Sequence, residues 1–230
     1  MRFAFLAAGF SAALLCAFPA FAEEQPKLVP APALDNAKAP GDPQTALLAG
    51  GCYWGTQGMF EHVKGVQRVI AGFAGLPQSR PQDGIIGRTE AVPAEAVQIT
   101  FDPSQITYGQ ILQIYFSVAH DPTQLNMQGP DKGPQYRSAI FYADDTQKKI
   151  AEAYIAQLDQ AHAYSTPIVT TVGAAIGFRR VASQQQDFMQ KYPTLPYIVA
   201  IDVPRLTAMK TLFPSLYRDP PLTVSGEASL

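Results

Sequence analysis

One short stretch passes directly from an apolar run into the start of a helix: Leu47-Leu48-Ala49-Gly50-Gly51-Cys52-Tyr53-Trp54-Gly55. Residues 46–49 predict a buried strand, the two glycines end it, and a helix is expected over about 55–64. A helix N-terminus presents free N–H groups and positive partial charge, which favour a thiolate over a thiol. This junction is therefore predicted to hold a reactive cysteine, Cys52.

The remaining apolar patterns alternate between the periods of strands and helices. Strands are predicted at 66–73, 96–101, 138–142 and 168–172, and helices at 111–118, 145–160, 182–191 and 204–212. No repeat period is visible. The mixed order of elements predicts a single α+β domain.

The composition fits a folded chain and excludes several classes of function. The 230 residues are 47% hydrophobic and 16% charged, with 17 Lys and Arg against 19 Asp and Glu. This apolar share supports a packed core, and the balanced charge offers no basic surface for nucleic acid. Two cysteines exclude a disulfide framework, and scattered histidines without a phosphate-binding loop predict no metal and no cofactor.

The N-terminal residues have the layout of a cleaved secretory signal peptide. Residues 1–22 combine Arg2, an apolar run and the pattern Ala20-Phe21-Ala22. The run is too short for a membrane helix, so we expect export to the periplasm without a stable membrane anchor. Cleavage would remove Cys16 and leave Cys52 as the only cysteine of the mature chain.

The rest of the chain divides into three segments. Five prolines predict an extended linker over residues 23–44. The folded domain is expected over 45–218, and residues 219–230 are predicted to form a loose tail.

Three blocks of sequence, in order along the chain, carry a resemblance to one enzyme family. They are Gly51-Cys52-Tyr53-Trp54-Gly55, the acidic strand 94–103 with Glu95, and residues 120–138, which read HDPTQLNMQGPDKGPQYRS. All three resemble motifs of the peptide methionine sulfoxide reductase A family. The resemblance covers about 45–218 and implies a ferredoxin-like mixed sheet with packed helices, and the activity of a peptide-methionine (S)-S-oxide reductase.

The resemblance also implies a role for each matched side chain. Cys52 would attack the sulfoxide sulfur, and Glu95 would protonate the oxygen. Asp131 and Tyr136 would support the polar end of the substrate, and Trp54 with Tyr53 would hold the S-methyl group. A sulfoxide is a poor electrophile until its oxygen is protonated, and partial burial of Glu95 would raise its pKa towards the neutral range that suits a general acid.

Three places depart from the family pattern. Phe73, assigned to substrate binding, stands where the family usually has a tyrosine, so one hydroxyl donor to the sulfoxide oxygen is missing. Residues 90–94 form a longer connection to Glu95 without the family's histidine. Residues 182–187, which read ASQQQD, replace a stretch containing a glutamate and a Tyr-His pair. We expect a working but slower enzyme.

The recycling step requires a partner, because the predicted tail 219–230 contains no cysteine. After the attack Cys52 would be a sulfenic acid, and an external thiol would reduce it. A thioredoxin-like protein or a small thiol would supply that thiol. The substrate is expected to be oxidised methionine in proteins, in peptides or free, and the protein is expected to be a monomer.

Other functions would also use a solitary cysteine. A cysteine hydrolase needs a histidine base, for which His62, His120 and His162 are the candidates. A thiol peroxidase has no need of Trp54 or of a proton donor suited to sulfoxides. A non-catalytic module that binds oxidised peptides stays open, and turnover of methionine sulfoxide with dithiothreitol distinguishes it from an enzyme.

Overall fold

A computed structural model describes residues 24–75 and 92–224 of the chain. The predicted signal peptide lies outside these residues, as do residues 90 and 91 of the connection that leads to Glu95 and the end of the predicted tail. None of the helices within the described ranges has both the length and the apolar composition needed to span a bilayer.

A six-stranded mixed sheet forms the centre of the fold. The strands of the described residues are β1 (Gln44–Ala49), β2 (Val66–Ala74), β3 (Ala94–Phe101), β4 (Met127–Gln128), β5 (Asp131–Lys132), β6 (Ala139–Tyr142), β7 (Thr171–Ala174) and β8 (Arg179–Arg180). Their order in the sheet is β7-β6-β1-β3-β2-β8, while β4 and β5 pair separately. Only the β6–β7 pair is parallel among these strands, so the predicted α+β class with a mixed sheet is confirmed.

Five α-helices pack against this sheet in the described residues: α1 (Tyr53–Glu61), α2 (Tyr108–Ile114), α3 (Asp145–Gln160), α4 (Phe188–Lys191) and α5 (Val203–Leu212). A π-helical turn, Tyr115–Ala119, continues α2, and a second one, Ile198–Asp202, leads into α5. The start of α3 has a clear local cause, because the Asp144 side chain accepts a hydrogen bond from the Gln147 N–H at 2.8 Å.

The core lies between the central strands and the helices. Strand residues that point to one face of the sheet meet the apolar faces of α1, α2 and α3. The largest side chains that are fully buried there are aromatic or branched: Phe60, Phe101, Tyr108, Ile111, Tyr115, Phe116 and Tyr154. This packing holds β1, β3 and α1 together, and these three elements carry the candidate site.

Two predicted elements differ from the structure. The helix expected over 182–191 is broken into a 3₁₀ turn, Ser183–Gln185, and the short α4, because Asp187 between them has a left-handed φ of 54°. The strand expected over 168–172 is shifted to Thr171–Ala174. Contacts with distant residues set the bounds of both elements: β7 pairs with β6, and Asp187 is bonded to Gln57 of α1.

The proline-rich segment before β1 lies along the folded domain. Residues 24–43 contain no helix or strand, yet Val29 is buried. The Lys27 N–H donates to the Ser117 carbonyl at 2.9 Å, and the Gly109 N–H donates to Asp35 at 2.8 Å. The segment thereby provides hydrogen-bond partners for a backbone N–H at the start of α2 and for a backbone carbonyl in the π-helical turn that continues it.

Candidate active site

Cys52 occupies the N-cap of α1, directly after β1. Its backbone is extended, with φ −61° and ψ 129°, while the preceding Gly51 has a φ of 86° that a side chain would strain. A Cβ at Gly50 would lie 2.8 Å from the His120 ring, so both glycines are required by the tight turn. The turn leaves Cys52 half-buried and its thiol free of any disulfide.

Glu95 lies on β3 beside this turn. Its carboxylate accepts a hydrogen bond from the Tyr53 N–H at 3.1 Å, which places it next to Cys52. Burial raises the pKa of Glu95 to about 7, and the charge of Asp131 acts in the same direction. A carboxyl group with this pKa can hold or release a proton near neutral pH, as a general acid requires.

The surroundings of Cys52 favour the protonated thiol over the thiolate. Burial raises the pKa of Cys52, and the charges of Glu95, Asp202 and Asp131 raise it further. The Trp54 backbone N–H at the start of α1 lowers the pKa, but these opposing effects outweigh it. The helix N-terminus acts on the thiol in the expected direction, but burial of the thiol, together with three nearby carboxyl groups, has the larger effect.

Asp131 and Tyr136 come from the block around β5 and lie on the same side of the site. The Tyr197 hydroxyl donates a short hydrogen bond to the Asp131 carboxylate. Tyr136 ends a single 3₁₀ turn, and burial together with the charges of Glu95, Asp131 and Cys52 raises its pKa. The structure thus brings Asp131 and Tyr136 together with Cys52 and Glu95.

Aromatic rings form a wall beside the thiol. Tyr53 is buried, and its ring meets the edges of the Trp54 and Phe73 rings at centroid distances of 6.5 and 6.1 Å. Phe73 pairs with Glu95 across β2 and β3, which places it at the same end of the sheet. All three predicted substrate-binding residues therefore lie in one cluster.

The segment after α4 contributes two residues that the sequence did not identify as part of the site. Tyr197 bonds Asp131 and also packs edge-on against Trp54 at 5.9 Å. Asp202 is buried against the first turn of α1, where a Cβ at Gly55 would clash with its carboxylate. Burial raises the pKa of Asp202 to about 7; the charge of Arg205 opposes this shift, and the charge of Asp131 adds to it.

Two further residues complete the surroundings of Trp54. Phe188 stacks on its indole with a centroid distance of 3.8 Å and an interplanar angle of 9°. Gln185 accepts a hydrogen bond from its Nε1 at 2.9 Å. For Gln185, the only signal in the sequence was that residues 182–187 depart from the family pattern, and this departure did not indicate a role in the site.

The histidines do not serve Cys52 in the described structure. His62 lies at the far end of α1, where its ring contacts the Arg218 carbonyl at 2.9 Å. His120 contacts the Ser138 hydroxyl at 2.7 Å, and burial lowers its pKa to about 3. No histidine base for a hydrolase reaches the thiol within the described ranges. Residues 24–75 and 92–224 contain no cluster of His, Cys, Asp and Glu side chains suited to a metal ion.

Comparison with known proteins assigns the family. A profile described as peptide methionine sulfoxide reductase matches residues 44–214. The peptide methionine sulfoxide reductase MsrA 2 of Mesorhizobium japonicum is 51% identical over 191 residues, which cover 83% of this chain and 97% of the relative. This chain belongs to the peptide methionine sulfoxide reductase A family. The resemblance inferred from the three sequence blocks is confirmed.

Other relatives of this reductase agree in sequence and fold. The MsrA 2 protein of a Synechocystis species is 41% identical over 78% of this chain and 86% of the relative. The solved structure of methionine sulfoxide reductase A of Corynebacterium diphtheriae is similar, with a TM-score of 0.51 and 29% identity over 75% of this chain and 85% of that one. The predicted fold is thus confirmed by a solved member of the family.

Proposed function

We propose that this reductase reduces the S epimer of methionine sulfoxide, free and in peptides and proteins, with Cys52 as the nucleophile and Glu95 as the proton donor. The observation that carries the proposal is the placement of the Glu95 carboxylate beside Cys52, where it accepts from the Tyr53 N–H at 3.1 Å, next to the aromatic wall of Tyr53, Trp54 and Phe73. Membership of the family supports the substrate class.

The first step uses the proton that Cys52 and Glu95 share. When the sulfoxide binds, the thiol proton passes to Glu95, and the thiolate attacks the sulfoxide sulfur. Glu95 then donates the proton to the sulfoxide oxygen, which makes the S–O bond easier to break. The resulting hydroxyl group moves from the substrate sulfur to the Cys52 sulfur as the S–O bond and the newly formed S–S bond break. Methionine leaves and Cys52 becomes a sulfenic acid, so two electrons pass from the cysteine sulfur to the substrate sulfur.

The polar and apolar walls orient the substrate for this attack. Trp54 and Tyr53 offer ring faces and edges to the S-methyl group, which suits the favourable contact of sulfur-bearing groups with aromatic rings. On the other side, Asp131 and Tyr136 hold the polar end. The Tyr136 hydroxyl can donate to that end directly, whereas Asp131, which accepts from the Tyr197 hydroxyl, would act on it through a water. A sulfoxide is thereby held with its oxygen towards Glu95.

An external thiol completes the cycle. The mature chain that follows leader cleavage contains no second cysteine, so the sulfenic acid reacts with one thiol to form a mixed disulfide and release water. A second thiol then attacks that disulfide and restores Cys52. A thioredoxin-like protein or a small thiol would serve. The signal-peptide layout of residues 1–22 supports the proposal that this repair takes place in the periplasm, with the reductase as a monomer.

The test uses the separated epimers of a methionine sulfoxide peptide with dithiothreitol as reductant. Wild-type protein is expected to form methionine from the S epimer, and Cys52→Ser is expected to form none. Binding of the sulfoxide peptide without methionine formation would instead show a non-catalytic module. Faster turnover of hydrogen peroxide than of the sulfoxide would show a thiol peroxidase.

A further inference from the structure

One side-chain amide joins two rings of the aromatic wall. The Gln185 Oε1 accepts a hydrogen bond from the Trp54 Nε1 at 2.9 Å and another from the Tyr53 hydroxyl at 3.4 Å. An indole N–H can only donate, so the amide oxygen of Gln185 must face the rings. Burial and the charge of Glu95 raise the pKa of Tyr53 to about 12, which keeps its hydroxyl protonated and able to donate.

The backbone that carries Gln185 is itself held firmly. Its N–H donates to the Ala182 carbonyl at 2.9 Å, which closes the 3₁₀ turn. The next residue, Gln186, is buried, and its amide bonds both the N–H and the carbonyl of Ala71 on β2, at 2.9 and 2.8 Å. The amide oxygen of Gln185 is therefore a fixed point relative to the sheet rather than a mobile surface group.

Gln185 restrains the orientation of the Trp54 indole by accepting a hydrogen bond from Nε1, the only polar atom of that ring. Phe188 covers a face of the indole, with its centroid 3.8 Å away, and Tyr197 meets its edge. These ring contacts allow the indole to slide or turn in its plane. The hydrogen bond from Nε1 to Gln185 prevents this movement of the indole. The hydrogen bond from the Tyr53 hydroxyl ties the Tyr53 ring to the same amide oxygen.

We infer that Gln185 is a positioning residue that fixes Trp54 and Tyr53 and thereby sets the size of the alkyl group that the site accepts on the sulfoxide sulfur. The inference rests on the proposed function. A rigid wall excludes a substituent one methylene larger than methyl, and a pocket of fixed shape discriminates by about tenfold or more for such a difference. Without the acceptor, the rings can move aside for the larger group.

The test compares three variants. Gln185→Leu removes the acceptor at similar size, and Gln185→Glu keeps an acceptor of the same length. Gln184→Leu is the matched control, because Gln184 lies in the same turn, is exposed and has no hydrogen bond with the described residues. The first measurement is the ratio of kcat/KM for methionine sulfoxide to kcat/KM for ethionine sulfoxide. The second is the tryptophan emission, since Trp54 is the only tryptophan of the chain.

We expect Gln185→Leu to lower the methyl-to-ethyl ratio by about fivefold to tenfold, in line with the loss of a hydrogen bond, and to shift the Trp54 emission. Gln185→Glu and Gln184→Leu should keep the wild-type ratio and emission. An unchanged ratio in Gln185→Leu would overturn the inference while the enzyme still reduces methionine sulfoxide, and so would an equal change in Gln184→Leu. A wild-type protein that reduces neither sulfoxide would instead overturn the proposed function and, with it, this selectivity.

Discussion

Glu95 lies beside Cys52 at the start of α1, where its carboxylate accepts a hydrogen bond from the Tyr53 N–H at 3.1 Å and its charge raises the pKa of the Cys52 thiol. Burial raises the pKa of both groups, to about 7 for Glu95 and higher for Cys52. Between these two values the pair carries a single proton. The state that reacts, a thiolate beside a protonated carboxyl, has that same number of protons and differs only in where the proton lies.

The shared proton determines how activity depends on pH. Below about pH 7 the pair holds two protons, because Glu95 is then protonated while Cys52 is still a thiol. One proton must leave before the thiolate can attack. We therefore expect kcat/KM for the sulfoxide to rise as the pH increases through about 7 and then to level off. A fall in kcat/KM between pH 6 and pH 8 would contradict this account.

Replacement of Glu95 should separate thiol reactivity from sulfoxide reduction. Glu95→Gln removes a negative charge that raises the thiol pKa, and it also removes the proton donor. At pH 8 the variant should react faster with iodoacetamide than wild type, yet reduce the sulfoxide about 10²-fold more slowly. Glu152→Gln, on the exposed side of α3, is the control and should change neither rate. Slower alkylation in Glu95→Gln would exclude the electrostatic part of the explanation.

The buried carboxyl of Asp202 should also affect the thiol. Its Oδ2 has no hydrogen-bond partner among the described residues, and its charge raises the pKa of Cys52. Asp202→Asn keeps the shape against Gly55 and removes the charge. The alkylation profile of Cys52 against pH should then shift to lower pH, whereas Asp145→Asn, an exposed residue of α3, should leave it in place. No difference between the two variants would mean that Asp202 is neutral at all pH values tested.

A second buried carboxyl, at the other end of α1, should make stability depend on pH. Burial and then the nearby Asp187 raise the pKa of Glu61 from 4.5 to about 10. Between these values the folded protein binds a proton that the unfolded chain releases, so the free energy of unfolding falls as the pH rises. Glu61→Gln should flatten this slope and raise the Tm at pH 9 by about 3 °C or more. Equal slopes from pH 6 to pH 9 in wild type and variant would be evidence against this ionisation.

The features that could be predicted from the sequence are those determined by residues close to one another in the chain. The turn at Gly50-Gly51-Cys52 follows from two glycines between an apolar run and a helix, and both glycines do meet close neighbours there. The helix α3 has the predicted bounds because Asp144 caps it and its inward residues recur at helical spacing. Each of these features depends on residues within a few positions of one another.

Long-range contacts account for what the sequence did not predict. Gln185 meets Trp54 across 131 positions of the chain, and no local pattern marks such a pair. The helix expected over 182–191 is interrupted at Asp187, whose N–H donates to Gln57 at 3.0 Å and whose carboxylate accepts from the Val224 N–H at 2.9 Å. The pKa of Cys52 likewise depends on carboxyl groups that come from three distant segments.

The central claim, that Cys52 is the residue that becomes oxidised when the sulfoxide is reduced, is tested most directly by a single turnover without reductant. The protein is mixed with an excess of the S-epimer peptide, methionine is counted, and the sulfenic acid is trapped with dimedone and located by mass spectrometry. We predict one methionine per chain and one adduct, at Cys52. An internal disulfide, or methionine formed by Cys52→Ser, would contradict the account.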